Sequence, residues 1–334
     1  MKKAGADDIG IGGKGIEIPV ADTFGGSLTY LDADGNKDTT KTNIEKYGPV
    51  VNGKAVNSLN KDKILNGALR YDPATKILSL NTDAESYIGN LTIYAPNTTV
   101  DLNGGEYSAH QGKLVIEAAA DVTLTSTEAR AIVGNANITC AGKLRITCEN
   151  LAVDGNLTVN HASSVELIGK NNNGGTVNGA AVFNNTGEVT IQNKDATKGA
   201  AHSISYSGNY VYYTADGGAL TDPRITPIAA DASYLHIVPS ELHSITVPEG
   251  CSYKVNGAEL TGAHEGQTVT VTAPDKGDHF EFAGWIISPD SVTLTDADKL
   301  TATFTMPDGD VELENSYNQL YDVSVIKGTA TPSF

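Results

Sequence analysis

The chain has 334 residues, 35 of them glycine, with a formal net charge of −17 and a pI near 4.7. That length holds more than one core, and an acidic balance with no basic cluster excludes a nucleic-acid backbone as partner. No run of about 18 apolar residues occurs, so no membrane-spanning helix is expected. Many short alternating segments broken by Gly, Asn and Asp predict an all-β chain.

In chain order, MKKAGADDIGIGG lacks the apolar core of a signal peptide. An exported protein would carry its signal outside this sequence. Leu31–Asn43 (LDADGNKDTTKTN) places Asp32, Asp34, Asn36 and Asp38 at loop positions 1, 3, 5 and 7 of a calcium loop. The Gly and the bidentate Glu that such a loop needs are replaced by Lys37 and Asn43. A polar turn is therefore expected, and no metal or other cofactor. Further on, Asp72-Pro73 opens a turn and 77–81 alternates as a strand.

From Leu91 to Ile191 a short element recurs. One series is Leu91/Ile93, Leu114/Ile116, Ile138/Cys140 and Leu157/Val159. A second is Val100/Leu102, Val122/Leu124, Leu144/Ile146, Val165/Leu167 and Val189/Ile191, in steps of 22, 22, 21 and 24 residues. A looser third runs Tyr107, Ile132, Leu151 and Val177. Three short strands per turn of roughly 22 residues predict a parallel, right-handed β-helix of about five rungs. The competing architecture, a β-sandwich, does not require columns in register. Alternation turns Asp101, Thr123, Arg145, Glu166 and Thr190 outward in one column, and Thr92, Val115, Thr139 and Thr158 in another. Asn90, Asn137 and Asn156 are expected to stack at a turn. Cys140 replaces an inner aliphatic residue, so a buried thiol is expected and a Cys140–Cys148 bridge is not.

Residues 45–81 resemble the entry segment of β-helical surface proteins of gut Gram-positive bacteria, whose carbohydrate-binding-like β-helices follow a Y-D-P-x-T-x-x-L-x-L-N signature. Tyr71, Asp72, Pro73, Thr75, Leu78, Leu80 and Asn81 carry the resemblance. It implies a cap on the solenoid and an extracellular, cell-surface location. After Asp195 the repeat fails. His202–Tyr213 is Tyr-rich and 219–240 holds Pro223, Pro227 and Pro239, which read as a cap leading into a linker.

Residues 243–318 resemble the divergent bacterial repeat related to the B-repeat of listerial internalin B. Gly266, Val269, Val271, Ala273, Pro274, Phe282, Gly284, Trp285, Phe304, Met306, Pro307, Gly309, Asp310 and Val311 match. The resemblance implies a small β-grasp-like fold, with Trp285, the single Trp, as its core anchor. Tyr321–Phe334 resembles the opening of a further such repeat, which implies a natural protein that continues; a strand completing the module is the alternative. The expected domains are an N-terminal β segment and cap (1–80), a β-helix (81–200), a cap and linker (201–242), a B-repeat-like module (243–320) and the start of another repeat (321–334).

The functional expectation is a non-catalytic surface protein acting as adhesin or rigid spacer. The alternatives are a polysaccharide-binding module, then a β-helix lyase or glycosidase. Catalysis would need clustered carboxylates on one rung face, and the outward set Asp101, Arg145 and Glu166 is interrupted by Thr123. Glu149 and Asp154 lie near turns without a matched partner. Tyr206, Tyr210, Tyr212 and Tyr213 are the candidate sugar-stacking group, against the alternative that they pack on the last rung. Histidines 110, 161, 202, 236, 243, 264 and 279 are scattered, and surface or turn roles are expected for them. The expected partner is a host or microbial glycan or a surface protein, without nucleic acid.

Overall fold

A computed structural model of the chain describes residues 29, 36–39, 44–81, 87–127, 130–170 and 174–321. The described residues form strands and turns and no helix. They divide into two compact units. The first holds the described residues up to Gly208, with Tyr212–Leu220 and Ile228–Val238. The second holds Asn209–Val211, Thr221–Pro227 and the described residues from Pro239 onward.

The first unit is a β-solenoid of about five turns. On its most regular face, Ile77–Leu80, Thr99–Asn103, Val122–Ser126, Lys143–Cys148, Ser164–Gly169 and Glu188–Asn193 pair in parallel, each with the next. Their register stacks Leu78, Val100, Val122, Leu144, Val165 and Val189 in one column. Leu102, Leu124, Ile146, Leu167 and Ile191 form a second. All of these side chains are buried, each contributing about 1.5–3 kcal/mol relative to exposure. Rungs stack because a single rung has no other way to cover its inner face or pair its backbone edges.

A second face stacks Leu91–Tyr94, Leu114–Ala119, Ala136–Cys140, Leu157–Asn160, Val177–Asn184 and Ala201–Tyr206. Its inner pairs are Leu91/Ile93, Leu114/Ile116, Ala136/Ile138, Leu157/Val159 and Ala181/Phe183. The inner pair of the third rung is therefore Ala136/Ile138 and not Ile138/Cys140. Ala136 is too small to stand out as an inner residue, and a register irregularity lies between Ile138 and Cys140. The outward column accordingly runs Thr92, Val115, Asn137 and Thr158, while Thr139 pairs with Asn160.

The remaining face is made of short pieces: Tyr87–Ile88, His110–Gln111, Ile132–Val133, Val153–Asp154 and the start of the strand at Val177. Here Tyr107 is 53% exposed and lies outside the column, and Val153 rather than Leu151 is in register with Ile132. Two-residue strands leave too little alternation for sequence to fix their register.

The corner after these short strands is a glycine column. Gly89, Gly112, Gly134 and Gly155 have φ of 139°, 128°, 131° and 159°. A Cβ on Gly112, Gly134 or Gly155 would overlap the carbonyl oxygen of the glycine one rung earlier. The residues after Gly89, Gly134 and Gly155 are Asn90, Asn135 and Asn156, so Asn135 replaces Asn137 in the expected stack. Asn135 Oδ1 accepts from Asn156 N at 2.8 Å, and Asn156 Oδ1 from Ala180 N at 2.9 Å.

The parallel run reaches beyond 81–200 and meets reversed strands. Leu69–Asp72 is antiparallel to Ile77–Leu80, and Lys46–Val51 is antiparallel to Leu91–Tyr94. At the other end Tyr234–Pro239 is antiparallel to Glu188–Asn193.

The second unit contains two three-stranded sheets. One orders Ile245–Thr246, Val311–Gln319 and Phe280–Ser288; the other orders Ser252–Val255, Thr268–Thr272 and Thr301–Thr305. Between them lie Val255, Val269, Val271, Trp285, Ile287, Phe304, Met306 and Leu313, all buried. Trp285 is 5% exposed and its Nε1 donates to Lys299 O at 3.1 Å. The unit also takes in a strap, residues 221–227, whose Asp222 side chain is fully buried.

Candidate functional site

The outward column of the regular face is in register along its length. Asp101 pairs with Thr123, Thr123 with Arg145, Arg145 with Glu166, and Glu166 with Thr190. Arg145 Nε and Glu166 Oε2 form an ion pair at 2.8 Å, with both side chains about half exposed. At such exposure the pair adds roughly 0–1 kcal/mol.

The column extends further than the repeat arithmetic reached. Ser79 is in register with Asp101, and Arg70 with Ser79; at the far end His236 faces Thr190. Sequence carried the signal for Ser79, because one 22-residue step back from Asp101 lands on it. Arg70 lay beyond reach, because its strand runs the other way and belongs to a hairpin rather than a rung.

Around this end of the column lies a cleft of about 520 Å³ lined by Lys61, Asp62, Arg70, Asp72, Ser79 and Asp101, among others. The hairpin turn beside it is set by Asp72. Its Oδ1 accepts from Ala74 N at 2.9 Å and its Oδ2 from Thr75 Oγ1 at 2.8 Å. These bonds, the Thr75 hydroxyl first, hold the Asp72 carboxyl below its ordinary pKa. Lys61 Nζ binds both oxygens of Asp62. Arg70 Nε donates to Ser79 Oγ at 3.2 Å. Burial pushes the Asp101 carboxyl above its ordinary value.

The tyrosines divide. Tyr206, Tyr212 and Tyr213 belong to the solenoid unit and Tyr210 to the second unit. Tyr212 is 1% exposed and is a core residue, with no ring face for a sugar. The Tyr206 hydroxyl donates to backbone carbonyls of Thr186 and Gly187. Tyr213 packs on His236 at 5.9 Å between centroids.

Asn36 and Asp38 are described and near the surface, whereas Asp32 and Asp34 lie outside the described residues. Residues 322–334 do too. Glu149 and Asp154 do have partners: Lys194 for the first, Arg130 and Asn178 for the second. Cys140 and Cys148 are buried free thiols. Burial, then the Asp121 carboxylate, pushes Cys140 up to about 11, which makes it unreactive at neutral pH.

Two histidines depart from the expected surface roles. His110 is fully buried in the short-strand column beside Ile132, and His264 is 2% exposed. Sequence did not signal either burial, because neither sits in a recognisable apolar alternation. His264 belongs to a buried polar cluster in the second unit. Its amide donates to Gln267 Oε1 at 2.8 Å, and Gln267 Nε2 donates to Asp222 Oδ2 at 2.9 Å. Arg224 clamps the same carboxylate through Nε and Nη2 and reaches Thr261 O and Gly262 O through Nη1. This cluster fixes the strap onto the sheets and was not legible in the sequence, where 201–242 reads as a cap and linker.

Residues 243–320 match the family model described as the Divergent InlB B-repeat domain. Comparisons with curated proteins and with solved structures gave no match. The matched positions have visible work in the fold: Asp310 Oδ1 accepts from Ser244 N at 2.7 Å, which ties the first strand to the last. A β-solenoid on the same chain as a domain of this repeat type suggests a cell-surface-type protein.

Proposed function

We propose that the chain belongs to a non-catalytic extracellular protein of a bacterial surface, in which the solenoid, on one chain with the repeat module, serves as a rigid spacer or adhesin rod. The observation that carries the reading is the match of 243–320 to the Divergent InlB B-repeat domain on one chain with a parallel solenoid. The resemblance of residues 45–81 to gut Gram-positive surface proteins points the same way. The non-catalytic part draws support from spacing. Asp101 and Glu166 stand three strand steps apart, or about 14 Å at roughly 4.8 Å per step. Paired glycosidase carboxylates lie no more than about 9.5 Å apart, and Glu166 is engaged by Arg145.

Protease shaving of intact cells of the natural source tests the location. Peptides from this chain should be released while a cytosolic marker stays inside; release only after lysis would overturn the reading. The second reading, a polysaccharide-binding module, is favoured by the cleft at the start of the outward column.

A further inference from the structure

We propose that the cleft between the 69–80 hairpin and the first rungs is a binding site for a neutral saccharide chain, with Arg70 donating to, and Asp101 accepting from, its hydroxyl groups. This deepens the polysaccharide-binding reading by assigning it a place, and it moves the site away from the tyrosines.

Several charged groups of the cleft are already engaged. Lys61 and Asp62 hold each other, and Asp72 holds Thr75 and Ala74. Two charged groups are left over. Arg70 spends only its Nε on Ser79 and forms no ion pair among the described residues. Asp101 is half-buried, and among the described residues it forms no ion pair and accepts no side-chain hydrogen bond. A partly desolvated carboxylate without a partner is costly, and its raised pKa expresses that cost. Both groups border the same cleft.

Their order selects the ligand. Arg70, Ser79 and Asp101 occupy consecutive strands in register, so a donor, a hydroxyl and an acceptor stand in line at about 4.8 Å intervals. A ligand that meets all three must both accept and donate hydrogen bonds along one edge. Sugar hydroxyls do both with one group. Thr123 continues the line with another hydroxyl, so a chain laid along the solenoid axis meets polar groups rung after rung. Ile77, at the cleft wall, offers apolar surface to ring C–H groups.

Charge argues against a polyanion. The cleft carries Lys61 and Arg70 against Asp62, Asp72 and Asp101, and the chain as a whole is at −17. A uronate chain would meet repulsion of the long-range kind that weakens association.

Affinity electrophoresis of the purified chain through gels containing galactomannan, xyloglucan, arabinoxylan or mixed-linkage β-glucan tests the site, with polygalacturonate as the anionic arm. At least one neutral polymer should retard the chain. Arg70→Gln and Asp101→Ala should each weaken that retardation at least tenfold, while Glu117→Ala on another face should not. Unchanged thermal unfolding of the variants would show that the loss is not a folding defect. Retardation by a neutral polymer that survives both substitutions overturns this site and leaves the polysaccharide-binding reading standing. Retardation by polygalacturonate alone overturns the ligand class, and retardation by no polymer overturns the site and the reading together.

Discussion

A methyl group on Gly134 would overlap the carbonyl oxygen of Gly112 at a backbone φ of 131°. The overlap is with backbone, which cannot rotate away as a side chain would. Gly134→Ala should therefore destabilise the solenoid by at least ~2 kcal/mol, measured as a lowered denaturation midpoint by circular dichroism. Asp222 is the corresponding pressure point in the second unit. Burial alone would raise its pKa, but the hydrogen bonds from Arg224 and Gln267 outweigh burial and hold the carboxyl below its ordinary 3.8. Because the folded value is the lower one, the stabilisation is complete above about 3.8 and is lost as pH falls through the folded value. Asp222→Asn leaves Arg224 clamping a neutral group, and should cost about 3 kcal/mol at neutral pH. The difference between wild type and variant should shrink as the pH falls below 3.8, followed by Trp285 fluorescence on denaturant titration.

At the level of elements, His110 is fully buried in the short-strand column, in register with Tyr87 and Ile132. Burial pushes its imidazole pKa below the ordinary 6.5, with backbone groups of Lys113 and Gly112 opposing. The neutral form is thus the folded form. Solenoid stability should be full above pH 6.5 and should decline as the pH drops from there towards the folded value. His110→Leu should flatten that decline between pH 6.5 and 5; an unchanged slope would refute the assignment. From Thr99 onward the regular face was legible because its strands are five or six residues long and both inner positions are large aliphatics, so a step near 22 recurs without ambiguity. The second face was legible except at Ala136, where a methyl side chain hid the inner position. On the short-strand face, two-residue pieces gave no alternation, and Tyr107 and Leu151 were drawn in where His110 and Val153 belong. The cleft was half legible: Asp101 followed from the column, whereas Arg70 depends on a hairpin that pairs backwards.

For the molecule as a whole, two compact units with separate cores predict two unfolding events rather than one. The single Trp lies in the second unit, so Trp fluorescence should report one transition while far-ultraviolet circular dichroism reports both. Gly134→Ala should shift only the transition that fluorescence does not see, and Asp222→Asn only the one that it does. A single coincident transition moved by both substitutions would contradict that independence. The resemblance that marked 243–318 rested on glycines, prolines and an aspartate at turns together with apolar residues such as Val269, Val271, Trp285, Phe304 and Met306 that form the core. The strap at 221–227 escaped because its buried Asp222 and its Arg224 look like any exposed loop pair until Gln267 is seen beside the carboxylate.

The reversed strands at the two ends of the regular face carry a consequence for assembly. A stack of parallel rungs is open-ended in principle, since each exposed edge is a template for another copy. Leu69–Asp72 and Tyr234–Pro239 run against that direction, so the parallel pairing of this face stops at each of them. Their presence makes the number of rungs a property written into one chain. A protein of this design can gain length by duplicating whole rungs between the two reversed strands.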